Sequence, residues 1–399
     1  MAAESHSLGE RLLVQRQRRG MTQQQLADNS GISVGIIRKL EQGQRQSVRL
    51  ETLTALAHAL DVAAGDLVGK HRGLATGAED SEMVQLRRAV LGLADLGADP
   101  VPARTLQPGV AQLWQLYWAG SYPVLARALP ERISAARVAV STAAKPDQPI
   151  AATVLAETLQ ITAALLAHLA HEDLAHLALH GARHAANEAG DELLEAAQQA
   201  TRSWVLSRQG LWSEAEHLAT TTAERIEPKL STATVDQLAV WGELLRYSAV
   251  ALSRSGRHSD AAEVIQLMGS AAARLGDDPV SRYVGMPFGP TVVGMRAVDA
   301  AISAGQPRQA LTRAQRVEHP DRMPPAMHSR YLLNVAWAQT LDMRSGEAVG
   351  TVLRAEKLAP EALPHQSIAR AIVAELLPRR RTQRLPGLRA LAQRMGMDT

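Results

Sequence analysis

Apolar residues recur three and four positions apart along almost the whole 399-residue chain, and runs of alternating β-branched residues are missing. That period predicts helices and no sheet. Gly and Pro fall at intervals that suit helix ends. In the first seventy residues the pattern predicts four short helices: Leu8–Arg19, Gln23–Asn29, Val34–Gln42 and about Leu50–Leu60. Thr22 and Gln25 have the spacing of a capping box, with Met21 and Leu26 as a hydrophobic staple. Ser33 is the expected cap of the third helix, and Gly31 and Gly43 the expected ends of the second and third. Leu12, Leu26, Ala27, Ile32, Ile37, Leu40, Leu53, Leu56 and Leu60 can then share one small core.

Beyond this unit the pattern changes. Residues 71–82 are polar and contain Gly, which reads as a linker. A helix is expected over Glu82–Leu96, then a break at Asp99–Pro108, then a long Ala- and Leu-rich region. The tail from Pro378 carries Arg379, Arg380, Arg381 and Arg384 before a short helix. The predicted division is 1–70, 71–105 (a linker with one helix), 106–362, and 363–399 (capping helices and an Arg-rich tail). The fold class is all-α.

The stretch from Leu12 to Val62 resembles the Cro/repressor, or Xre-type, helix-turn-helix family. Met21-Thr22-Gln23, Ala27, Gly31-Ile32-Ser33, Ile37, Leu40-Glu41 and Gly43 all fall in its register. The resemblance implies double-stranded DNA as partner. The start of a recognition helix reaches base edges in the major groove, which places Ser33, Val34, Gly35, Arg38 and Lys39 there. Arg38 or Lys39 can donate to guanine, and Val34 can touch a thymine methyl. Gln23, the amides at the start of the second helix, and Arg45 would hold phosphates. The family also implies a structural Arg16–Glu41 pair. Val34 and Gly35 depart from the polar base-readers of many relatives, so readout leans on Arg38, Lys39 and DNA shape.

In the long second region six segments share a pattern: a helix, a small turn residue, and an apolar residue five positions later in a second helix. The pairs are Gly120/Leu125, Ala170/Ala175, Gly210/Ala215, Gly256/Ala261, Gly305/Ala310 and Met343/Ala348, at intervals of 50, 40, 46, 49 and 38 residues. Periods of this size mean stacked helical hairpins. The hairpins resemble tetratricopeptide (TPR) repeats with lengthened helices. Ala163, Ser203, Ala249 and Ala336 supply the small residue the family wants seven positions before the turn, whereas Leu113 and Val298 do not.

Such an α-solenoid curves into a superhelix with a concave groove. In TPR proteins the first helix of each hairpin lines it. Applied to this chain, that register places Trp114, Tyr117, Trp118, Gln160 and His168 from the first two hairpins in the groove. The middle two add Trp204, Arg208, Glu243, Arg246 and Arg254, and the last two Met295, Asp299, Arg330 and Trp337. Aromatic walls with arginines suit a peptide or an amphiphilic small molecule carrying a carboxylate. Each Trp alone also fits plain packing between hairpins.

Composition narrows the chemistry. The chain has no Cys, which excludes disulfides, thiolate-bound metal and a thiol nucleophile. Only 3% of residues are aromatic, so the core must be mostly Ala, Leu and Val. The net charge is +3, and its surplus sits in residues 1–72, which hold ten Lys and Arg against seven Asp and Glu. The Ala- and Arg-rich, Lys-poor composition is actinobacterial in character. No leader and no uninterrupted apolar run of ~18 residues is apparent, so a cytoplasmic, nucleoid-associated protein without membrane contact is expected. His168, His171, His176, His180 and His184 crowd one hairpin, but their spacing misses the zincin motif, and no metal or other cofactor is expected. The segment Gly285–Thr291 interrupts the pattern, and Phe288 is the expected plug of a gap between hairpins. No phosphate loop, nucleophile elbow or carboxylate pair points to an enzyme.

The order of parts is similar to bacterial Xre-type regulators with a TPR-like sensor, including peptide-responsive ones of Gram-positive bacteria. It implies a sequence-specific transcription regulator. A homodimer on a near-palindrome, modulated by a peptide or small-molecule effector in the groove, is the leading form. The alternatives are a scaffold docking a protein partner at DNA and a ligand-independent repressor of phage or antitoxin type.

Overall fold

The computed structural model describes residues 8–18, 21–45, 48, 50–60, 67, 78–93, 99–377 and 385–397. Among these residues it holds nineteen α-helices, three 3-10 turns and one isolated β-bridge, between Val280 and Pro287. The all-α expectation holds.

The N-terminal unit consists of α1 (Leu8–Arg18), α2 (Gln23–Ser30), α3 (Val34–Glu41) and α4 (Leu50–Ala59). Leu12, Leu26, Ile37, Leu40, Leu56 and Leu60 are 0–1% exposed and form one cluster with Ala27, Leu53, Ala57 and Leu67. Met21 and Ile32 pack against it partly buried. α1 crosses α3 at Gly9, where a Cβ would stand 1.9 Å from the carbonyl oxygen of Leu40. Only hydrogen fits there, a requirement the apolar pattern does not reveal.

α5 (Ala78–Val90) starts four residues before the expected Glu82 and ends at Val90 rather than Leu96. It is no free linker helix. Leu86, Ala89 and Val90 are buried in the same cluster as the first hairpin of the body. Most of the expected linker, 71–77, and the Arg run 379–384 lie outside the described residues.

Six helical hairpins follow: α6 (Ala103–Ala119) with α7 (Tyr122–Thr142), α8 (Gln148–His168) with α9 (Glu172–Ala189), and α10 (Glu192–Arg208) with α11 (Trp212–Arg225). The others are α12 (Val235–Arg254) with α13 (His258–Leu275), α14 (Pro290–Ser303) with α15 (Pro307–Ala314), and α16 (Pro325–Leu341) with α17 (Ser345–Leu358). All six predicted turn residues adopt left-handed backbone: Gly120, Ala170, Gly210, Gly256, Gly305 and Met343, with φ between 61° and 84°. Each turn repeats one hydrogen-bond pattern. In the first, Gly120 N–H donates to Tyr117 O, Ser121 N–H to Leu116 O, and Leu125 N–H to Ser121 O. The same three bonds, shifted along the chain, occur at the other five turns. This is a Schellman cap, which satisfies the orphan carbonyls of the first helix and launches the second. The apolar residue five positions after each turn is 0–1% exposed in all six hairpins. The residue seven positions before it is buried as well, including the larger Leu113 and Val298.

The body departs from an open solenoid. α16 of the sixth hairpin packs against α6 of the first. The turn at Gly120 nestles against the sixth hairpin: a Cβ there would meet the Cβ atoms of Ala359 and Ala362, each at 3.2 Å. Ala359 and Ala362 are buried in the cluster of the first hairpins. The ends of the superhelix therefore meet, and the expected groove becomes the interior of a ring. Enough rotation accumulates over six hairpins to close it, and small residues at the seam let the backbones approach.

α18 (Ser367–Leu376) and α19 (Leu388–Arg394) cap the last hairpin through Ile372, Leu376, Leu388, Leu391 and Met395. The stretch Lys145–His168, which includes α8, is long and apolar enough to cross a membrane by length and composition, yet 83% of its most apolar window is buried inside the body. The expectation concerns uninterrupted apolar runs, and Glu157 and Gln160 interrupt this one. It is the central core helix of the ring.

Candidate DNA-reading head and ring interior

In the head, sequence dictates the geometry of α2 directly. Thr22 Oγ1 accepts from Gln25 N–H at 3.1 Å, and Gln25 Oε1 accepts from Thr22 N–H at 2.8 Å. Gly31, at φ 68°, ends the helix and turns the chain toward α3. Ser33 stands at the N-cap just before α3, and its carbonyl accepts from Ile36 and Ile37, but its side chain caps nothing. Its hydroxyl is exposed instead, next to Gly35, Arg38 and Lys39, which are also exposed, and Val34, which is half-buried. Ile37 and Leu40 point the other way, into the core. α3 thus separates an apolar inner face from a polar, basic outer face. Arg45 is exposed in the loop after it.

Behind that face stands a brace. Arg16 Nε and Nη2 donate to the two carboxylate oxygens of Glu41 at 2.6 and 2.8 Å, and Nη1 donates to Met21 O at 2.7 Å. Donation to the Glu41 carboxylate holds the Arg16 guanidinium above its usual pKa. Gln23 differs from its expected role. Its side-chain amide donates to Glu41 at 2.7 Å and so belongs to the brace. The reason is proximity: Gln23 opens α2 beside the end of α3, where Glu41 has a lone pair to offer.

Inside the ring, the first hairpin supplies an aromatic wall. Trp114 and Trp118 stack at 6.5 Å, and Tyr117 stands edge-on to both. Tyr117 OH and His168 Nε2 are hydrogen-bonded at 3.1 Å. His168 also contacts Tyr122 at 5.1 Å and Trp204 at 4.9 Å, and Arg208 lies 5.4 Å over the Trp204 ring. Burial, then the fields of Arg208, His365 and Arg330, push His168 far below its usual pKa, so it is neutral. Burial raises Tyr117 and Tyr122, which keep their protons.

The opposite side is charged. Arg246 grips Glu243 through both carboxylate oxygens and stacks 4.1 Å over Tyr247. Burial would lower the Arg246 pKa, but Glu243 raises it overall. Asp299 pairs with Arg296 and lies 4.0 Å from Arg254. Arg330 donates to Gln366 Oε1 at 2.9 Å, and burial together with Arg254, Arg208 and Arg246 lowers its pKa to about 10.

Not every candidate faces this interior. Gln160 is fully buried and donates to Ala197 O and Thr201 Oγ1, tying α8 to α10. Trp337 belongs to the C-terminal hydrophobic cluster, and Met295 to the central one. Tyr247 and Arg296, both nine positions before their turns, escaped the sequence reading, as did Tyr122 and His365. The register used there included positions ten and six before the turn and skipped the ninth.

The connection between α13 and α14 reaches across the ring. Val284 O accepts from Trp118 Nε1 at 3.3 Å. Gly285 presses on Trp114, where a Cβ would stand 2.4 Å from Cγ. Phe288 is 1% exposed and lies on Gly242. Asp191 and Asp236 anchor the loop: Asp236 accepts from Ser281 Oγ at 2.8 Å, and Asp191 from Tyr283 OH at 3.0 Å. Phe288 is thus a plug, as the sequence suggested, but it belongs to a segment that fills part of the interior.

The histidine-rich hairpin gives no metal geometry: among the described residues no three His, Asp or Glu side chains gather around one point. His176 pairs with Gln209 at 2.8 Å, and His184 stands 3.5 Å from Glu188.

Residues 14–67 match the family model HTH_3, described as helix-turn-helix. No curated protein matches the chain. Among solved structures the chain is similar to Bacillus thuringiensis PlcR, crystallised in complex with the peptide PapR7 and DNA. The identity is 11% and the TM-score 0.33, over 89% of this chain and 99% of that one. A likeness of that degree leaves the arrangement of the helices to be read from this chain alone.

Proposed function

We propose that this helix-turn-helix chain is a sequence-specific DNA-binding transcription regulator whose ring-shaped body modulates the head. The observation that carries the reading is the head: a helix-turn-helix over 14–67 whose third helix presents Ser33, Gly35, Arg38 and Lys39 outward on an intact core. In this reading Arg38 and Lys39 meet base edges, with Val34 against a thymine methyl. Arg45 and the amides at the start of α2 hold phosphates, while the Gln23 side chain serves the brace. Arg16 and Glu41 set the angle between α1 and α3.

The proposed units are 1–70 for the head, 71–105 with α5 joined to the body, 106–362 for the hairpins and 363–399 for the cap. A homodimer would set two heads about 34 Å apart on a near-palindrome. An effector bound in the body shifts DNA affinity only by its preference between two shapes of the ring. The reading is of a binding protein in the cytoplasm, at the nucleoid, rather than an enzyme. Closure of the ring leaves the protein-docking scaffold without an open concave face. The ligand-independent repressor is disfavoured by the charged interior, which a mere dimerisation domain does not need.

Selection of binding sites from a random duplex pool with the full-length protein tests the proposal. Enrichment of a palindromic motif with fixed spacing supports it. Absence of any enriched sequence at physiological salt refutes it.

A further inference from the structure

The ring interior holds an excess of positive charge that the fold does not neutralise. Arg208 comes from α10, Arg246 and Arg254 from α12, Arg296 from α14 and Arg330 from α16. Glu243 engages Arg246, and Asp299 is shared between Arg296 and Arg254. Among the described residues no carboxylate stands within ion-pair distance of Arg208 or Arg330. The charge of Glu172 acts on Arg208, and the Arg208 Nε hydrogen is buried without an acceptor.

Unpaired buried charge is expensive unless something compensates it. These guanidiniums repel one another, and burial depresses Arg208, Arg254 and Arg330 below their usual pKa. Arg254 nevertheless keeps 36% of its side chain accessible. A side chain crowded by protein yet accessible lines a concave surface rather than packed protein. Beside Arg208 stand the rings of Trp204, His168 and Tyr117, inclined at 55° and 47° to their neighbours.

The segment Val284–Phe288 settles what shape fits. It lies against Trp114 and Trp118, so part of the interior is already occupied by the chain's own backbone. With the ring also closed at Gly120, there is no open trough for an extended peptide.

We infer that the ring interior binds a compact organic anion with at least two negative charges and a flat apolar part. Arg208, Arg254 and Arg330 take the anionic groups, and the Trp204–His168–Tyr117 wall takes the flat part. Guanidiniums match carboxylate and phosphate geometry in a bidentate way, and the choice between those two groups follows from the same chemistry. This site rests on the reading that the body is the sensor of the DNA-binding head.

The test uses the full-length protein and 1-naphthyl phosphate as probe, followed by tryptophan fluorescence. We expect saturable quenching, and weaker binding of both inorganic phosphate and 1-naphthol. Arg208→Gln and Arg330→Gln should each raise the probe Kd by about tenfold, equivalent to ~1.4 kcal/mol. Arg208→Gln should melt no lower than wild type, because it removes a charge with no ion-pair partner, whereas Arg330→Gln also loses the bond to Gln366 and is read by probe affinity; a structural pin would melt lower when cut. Absence of saturable binding to wild type overturns the inference, as does a lowered Tm in the variants with unchanged probe affinity. DNA affinity measured in parallel separates the two levels. DNA binding without probe binding refutes the anion site alone. Probe binding that leaves DNA affinity unchanged supports the site and counts against its coupling to the head.

Discussion

Arg16 and Glu41, twenty-five residues apart, are joined by two parallel hydrogen bonds of 2.6 and 2.8 Å that lock α1 onto the end of α3. Both side chains are largely buried, at 12% and 4% exposure. Removing one partner would leave the other charged and desolvated. Arg16→Ala or Glu41→Ala should therefore cost about 3–5 kcal/mol in the head. Glu41→Gln, which keeps one acceptor, should cost less. Denaturant unfolding followed by hydrogen exchange at Leu12, Ile37 and Leu40 amides reads this out.

The turn at Met343 has left-handed backbone, φ 64°, and the residue is 72% exposed. A non-glycine residue there carries ~1–2 kcal/mol of strain, and the exposed side chain returns little in packing. Met343→Gly should raise stability by ~0.5–1 kcal/mol after the larger unfolded-state entropy of glycine is subtracted. A fall in Tm would show that the Schellman geometry at this turn is misassigned.

Gly242 has the ring of Phe288 where a Cβ would be, with Cζ at 2.0 Å. Gly242→Ala should displace the plug and destabilise by ~1–3 kcal/mol, the usual range for overpacking. Phe288→Leu in the Gly242→Ala background should recover part of the loss. A double-mutant cycle with additive effects would mean that the plug does not rest on α12.

Glu157 is 6% exposed, and burial pushes its carboxyl up to about 7, with Arg282 opposing and Asp191 reinforcing the shift. The folded state then binds a proton that the unfolded state has released between pH ~4.5 and ~7. Stability from this group is present at low pH and lost as pH rises through the folded pKa. Glu157→Gln should therefore be more stable than wild type by up to ~3 kcal/mol at pH 8, with the difference shrinking toward pH 4.5. Tm against pH for the pair isolates this residue from the titrating histidines.

Much of this architecture is written locally. The six turns were legible because a Schellman cap favours a residue that tolerates left-handed backbone, and because the second helix of each hairpin buries an apolar residue five positions on. Thr22 and Gln25 announced α2 for the same reason, since a cap is made by neighbours. What was not legible depends on distance. Ring closure at Gly120, Ala359 and Ala362 sums small rotations over hairpins of unequal length. The start of α5 was misplaced because Ala78–Ser81 look polar while tertiary packing of Leu86 and Val90 secures the helix. Arg296 and Tyr247 were not legible because the TPR register leaves out the ninth position before the turn, which here also carries a side chain into the interior. Gln23 looked like a phosphate ligand until Glu41, eighteen residues away, was seen to claim its amide.

The central claim is that the outer face of α3 reads DNA sequence. Its most direct test is the affinity of wild type, Arg38→Ala and Arg45→Ala for an enriched site and for random duplex, across a salt series. Arg38→Ala should lose ~1–3 kcal/mol on the enriched site, with discrimination relaxed at one or two base pairs and random-duplex binding little changed. Arg45→Ala should weaken both duplexes alike and flatten the salt dependence. If the two variants behave identically on both duplexes, α3 does not lie in the major groove as described.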